Sequence, residues 1–149
     1  MPALHSFDYG VLRIVPCQER GEFVNAGVVM HCPESGFLEC RVHLDEARAL
    51  ALWPALDLAV VRQHLEAFPK ISAGDPEAGP IARLARRERF HWLVAPRSTI
   101  LQVSPVHSGL CESPETRSSI HADVPTKNRW NCRIESLLAL PCRGNDEND

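Results

Sequence analysis

The pattern of apolar and polar positions through the first third of the chain predicts three strands, the second and third alternating with period two. Residues 7–16, FDYGVLRIVP, are largely apolar at both parities, with Arg13 interrupting the run, which predicts a central strand covered on both faces. Further on, Val24, Ala26, Val28, Met30 and Cys32 fall on one face, and Phe23, Asn25, Gly27, Val29 and His31 on the other. The turn residues Pro33-Glu34-Ser35-Gly36 lead into residues 37–44, where Leu38, Cys40, Val42 and Leu44 alternate with Phe37, Glu39, Arg41 and His43. The three segments together predict an antiparallel meander with one face solvated or only partly covered.

The period then lengthens. Asp45 is placed to cap a short helix through Leu52, and Asp57 a second one whose stripe is Leu58, Val61, Leu65 and Phe68, ending at Pro69. His64 lies beside that stripe and reads as a boundary residue. The turn-rich segment 72–80 predicts a surface loop, followed by a short helical piece over 81–86. β-Favouring runs at 90–94 and 99–103, separated by Ala95-Pro96-Arg97-Ser98, predict two more strands. The expected class is α+β: a largely antiparallel sheet of about five strands backed by two or three helices, one domain over 1–111. Residues 112–149 are polar and aperiodic apart from the run Ile134–Leu140, and are expected to form a poorly ordered or divergent tail.

Composition narrows the function classes. A chain of 149 residues, 44% hydrophobic and 23% charged, suits a single core. A formal net charge of −3 disfavours a nucleic-acid-coating protein. No basic-then-apolar leader and no run near the roughly 18 apolar residues of a membrane span is present, so a cytoplasmic protein with no membrane partner is expected. In that compartment the six cysteines read as reduced thiols. The nearest metal-ligating group is His31, Cys32, Cys40 and His43, but Cys40 and His43 are an odd number of residues apart on a strand and face opposite sides. No metal and no cofactor is expected.

The opening YGVLRIVPCQERGEFVNAGVVMHCPESGFLECRV and the later WLVAPRSTILQVSPVHSGLC resemble the bacterial domain-of-unknown-function family 3037 over roughly residues 7–111. Its members share an R-x-V-P and N-x-G-V opening with a downstream A-P-R-S-T and S-P-V-H-[ST]-G. The resemblance implies no activity. It implies a partner role beside a kinase of the persistence-toxin type encoded by a neighbouring gene. Beyond Cys111 the chain departs from the family, whose members continue into an acidic, leucine-bearing helix; genuine divergence and a shifted reading frame both fit the departure.

Three groups of side chains carry candidate chemistry. Arg97, Ser98, Thr99 and His107 combine a planar fork of donors, hydroxyls and an imidazole, which suits an anion such as phosphate. Such a pocket requires Ser104-Pro105-Val106 to turn the chain back, because the intervening strand separates Arg97 from His107. Arg13, Glu19, Glu22 and Asn25 form a polar cluster about the first hairpin, where a structural ion pair to Arg13 is the plainer reading. Arg83, Arg86, Arg87 and Arg89 beside Phe90, His91 and Trp92 have the charge and rings to grip a single nucleic-acid strand, and equally fit a solvated helix end. No serine or cysteine stands in a nucleophile-elbow context. The expected function is a non-catalytic protein-binding module, a regulator or adaptor. The alternative is an enzyme or sensor that binds a phosphorylated small molecule or nucleic acid through Arg97 and His107.

Overall fold

The computed structural model describes residues 4–111, so the tail expected after Cys111 lies outside the described residues. In chain order the elements are β1 (His5–Ile14), β2 (Val24–Cys32), β3 (Phe37–Val42), α1 (Glu46–Leu52), α2 (Leu58–Ala73), α3 (Arg86–Val94), β4 (Leu101–Val103) and β5 (His107–Cys111). Single 3-10 turns occupy Gln18–Arg20, Pro76–Ala78 and Pro80–Arg83, the latter two within the segments expected to be loop and short helix. The fold is α+β. The sheet runs β3-β2-β1, and β4 and β5 follow one another along the outer side of β1, every pair antiparallel.

β1 holds the centre because both of its faces are apolar. Leu12 and Ile14 join Val29, Cys40, Val61, Leu65, Phe68, Phe90 and Leu93 in the main core between sheet and helices. On the opposite face Phe7, Val28, Met30 and Cys32 form a second cluster with Tyr9 and Phe37 packed against it. Neither face of β2 is solvated, with Val29 0% and Val28 1% exposed, while β3 is half-buried along most of its length, so the meander is partly covered at its edge. The clean parity of β2 also breaks. Leu12 pairs with Gly27 and Arg13 with Asn25, so Ala26 is an extra residue in β2 and bulges into the main core. A bulge moves every residue before it to the other face, which is why Ala26 does not share a side with Val28 and Met30.

Both predicted helix caps form. Asp45 accepts the Arg48 N–H at 3.1 Å and Asp57 accepts Ala59 N–H at 3.0 Å. Pro69, however, does not end α2. The helix continues four residues to a left-handed Gly74 whose N–H reaches the Lys70 and Ile71 carbonyls. Phe68, Ile71 and Ser72 are buried on either side of the proline, so packing outweighs the hydrogen bond it lacks. Residues 90–94 are the second correction: they end a helix. Phe90 and Leu93, three apart, are its buried face, and its first turn is the charged Arg86-Arg87-Glu88-Arg89. Among the described residues the strand count of five stands because β5, unforeseen in the sequence, takes the place of that segment.

Candidate functional site

The loop after α3 places Arg97 against the carboxyl end of its own helix. Its Nη1 donates to Leu93 O at 2.8 Å and its Nη2 to Trp92 O at 2.7 Å, while the guanidinium lies 4.5 Å over the Trp92 ring and 5.2 Å over Phe68. Unpaired carbonyls at a helix end carry partial negative charge, so a half-buried cation is well placed there. Burial nevertheless pulls its pKa below the ordinary arginine value. Ser98 offers its carbonyl to Gln18 Nε2, and the Thr99 hydroxyl donates to Leu101 O at 2.8 Å.

Ser104-Pro105-Val106 does not turn the chain back. It interrupts one edge strand in two, with β4 against Leu12–Ile14 and β5 against His5–Tyr9 of β1. Ser104 repairs the interruption. Its N–H donates to Val11 O, and its hydroxyl accepts Val11 N–H at 2.9 Å and donates to Pro105 O at 3.0 Å. Both backbone groups of Val11 are thereby satisfied at a buried position beside a proline that has no N–H to offer. His107 follows on β5, its ring 5.4 Å from that of Tyr9, on the face away from the helices. Arg97 sits among helix residues. The sheet stands between them, and the four predicted anion-binding residues are not gathered into one cradle.

The second group divides as well. Arg13 and Asn25 are cross-strand neighbours, and the Arg13 guanidinium lies 4.3 Å over Phe23. Glu22 pairs with Arg20 at 2.9 Å. Glu19 accepts from Cys17 Sγ at 3.2 Å, and its pKa is lowered by a backbone hydrogen bond first and by that thiol second. In the third group Arg89 is structural, donating to Leu84 O and Ser72 O. Arg83, Arg86 and Arg87 are exposed. Among the described residues no three His, Cys, Asp or Glu side chains gather where they could hold a metal ion.

Two further features belong to this region. The first is a row across three strands on the helical side: Ser108 of β5 donates to Asp8 of β1, and Asp8 stands opposite His31 of β2. His31 is 5% exposed with its ring 4.9 Å from Phe90. Burial chiefly lowers its pKa; Asp8 opposes this, while His91, Arg87 and Arg86 reinforce it.

The second is the outer edge of β5. Among the described elements β5 pairs with β1 alone, and Leu110 is 59%, Leu4 58% and Val106 44% exposed beside it. No Asp, Glu, Lys or Arg occurs from Ser98 to Cys111, whereas the other edge strand, β3, carries the Arg41–Glu39 ion pair at 2.7 Å. Charged side chains are a common guard against strand addition, so the two edges differ in kind. The alternation of Val106, Ser108 and Leu110 was the available signal, hidden because Pro105, Ser108 and Gly109 read as turn residues.

The sequence model of the family described as "Protein of unknown function (DUF3037)" matches residues 9–119, eight positions beyond the domain boundary expected at 111. No curated protein and no solved structure matches the chain.

Proposed function

Because the chain belongs to the family of proteins of unknown function DUF3037, which lends it no activity, we propose a function from its own surface: a non-catalytic protein-binding module, a regulator or adaptor. Its partner docks by adding a strand to the outer edge of β5. The observation that carries this reading is that edge itself, uncharged and flanked by exposed Val106 and Leu110. An extended segment gains affinity there from main-chain hydrogen bonds and selectivity from alternate side chains. Exposed apolar side chains grouped at one place are what a docking surface supplies. The reading through Arg97 and His107 draws less support, since the guanidinium already serves three carbonyls of its own chain, Ala95 O among them.

The family resemblance supplies the first partner to try, a kinase of the persistence-toxin type encoded beside this chain. Copurification should retain that protein on the wild-type chain and lose it on the Leu110→Lys variant, whose melting temperature should be unchanged because Leu110 is exposed. Equal retention by both proteins would remove the β5 edge from the reading. No retention by the wild type would remove the kinase.

A further inference from the structure

Resting on the reading of β5 as a docking edge, we infer that in the isolated protein this edge is occupied by a second copy of the same chain, paired antiparallel β5 to β5 about Ser108. The argument begins with symmetry. Two identical antiparallel strands related by a two-fold axis normal to the sheet keep their faces, so directly opposed residues have numbers that sum to one even constant. A centre on Ser108 sets Val106 against Leu110 of the partner subunit, and Leu110 against the partner subunit's Val106. Both exposed apolar side chains then meet apolar side chains.

Neighbouring registers do worse. A centre on Gly109 sets Leu110 against a serine hydroxyl. A centre on His107 sets Val106 against Ser108 and brings Pro105, which has no N–H, opposite Gly109 inside the ladder. About Ser108, Pro105 falls opposite Cys111 at the limit of the strand and costs nothing inside it. Register is well specified where one face carries the apolar positions.

Charge and space agree with the same partner. The chain carries a net charge of −3, yet no formally charged side chain lies between Ser98 and Cys111, so two copies approach along a seam without repulsion focused on it. Val106, His107, Ser108 and Leu110 are all exposed, and among the described residues no strand pairs with the outer edge of β5. β3 offers no such seam because Glu39 and Arg41 stand on it. A five-residue strand buries little surface, so the dimer is weak and depends on concentration.

Sedimentation velocity on the full chain, from low micromolar to near-millimolar concentration, should show the mean mass rising from monomer towards dimer. Val106→Glu alone and Leu110→Lys alone should each hold the protein at monomer mass. An equal mixture of the two variants should regain dimer, because the proposed register places the new glutamate opposite the new lysine. A wild-type chain that stays monomeric throughout overturns the inference, as does a dimer indifferent to both substitutions. The outcomes separate from those of the adaptor reading. A monomeric wild type that still loses its kinase partner through Leu110→Lys leaves the docking edge standing without self-pairing. A wild type that dimerises by the expected register but retains no kinase leaves self-pairing standing without that partner.

Discussion

Arg97 spends its charge on its own backbone. Two of its nitrogens hold the last carbonyls of α3 at 2.7 and 2.8 Å, and its flat face covers Trp92 and Phe68. Removing it leaves a helix end without its cation and exposes the faces of two rings. Arg97→Ala should therefore lower stability by about 1.5–3 kcal/mol, the usual range for hydrogen bonds to a charged group. Arg97→Lys should recover only part, because an ammonium is a point charge and cannot span two carbonyls while stacking on indole. Urea unfolding of the three proteins checks this; a midpoint unmoved by alanine would return Arg97 to the pool of ligand-binding candidates. On the opposite face of the sheet Gly109 shows the same economy of position. A Cβ there would come within 2.5 Å of the Phe7 ring, so only glycine lets that ring lie over β5.

At the scale of elements, local pattern decided some segments and tertiary packing the others. Asp45 and Asp57 were legible as caps because a cap is a local hydrogen bond between residues two or three apart. β2 and β3 were legible from a period of two, and β1 from a run apolar at both parities, because those patterns record which faces of a strand are covered. The bulge at Ala26 was not, since an extra residue in β2 exists only relative to its pairing with β1. Phe90-His91-Trp92-Leu93-Val94 looked like a strand because aromatic and branched residues favour one, while the charged first turn of α3 concealed a helical period. The candidate site suffered most. Its members were grouped by nearness in sequence, whereas Ser108, Asp8 and His31 meet through pairing across three strands. Pro69 allows a direct measurement of packing against propensity. It lies inside α2 between buried Phe68 and buried Ile71, and it cannot donate to the preceding turn. Pro69→Ala restores that bond, so it should raise stability by about 1 kcal/mol or more, part of the ~3 kcal/mol that an interior proline costs, the remainder being offset by greater freedom of the unfolded chain. Thermal unfolding followed by circular dichroism reads both helix content and midpoint. A lower midpoint would mean that the proline ring itself is packed to advantage.

At the scale of the whole molecule, α3 packs against β2 of the sheet, and His31 lies buried at that contact. Its ring is buried against Phe90, opposite Asp8, with His91, Arg87 and Arg86 contributing positive charge from the helix. Burial is the leading influence and favours the neutral imidazole, holding its pKa in the folded protein below the ordinary 6.5. Below that ordinary value the unfolded chain binds a proton that the folded chain refuses. Unfolding then takes up a proton, so the contribution of His31 to stability is complete above the unfolded pKa and is lost as pH falls through the range down to the folded one. Asp8 moderates the loss because its carboxylate favours the charged ring. Denaturant unfolding at about pH 7.5 and about pH 5.5, either side of a free histidine's titration, should show the wild type losing stability on acidification. His31→Gln, which is neutral at both, should lose less, and the difference between the two proteins isolates this ring from carboxylates common to both. Equal losses would mean that His31 takes up its proton within the fold, with Asp8 outweighing burial, and that the sheet and α3 remain joined around a charged pair.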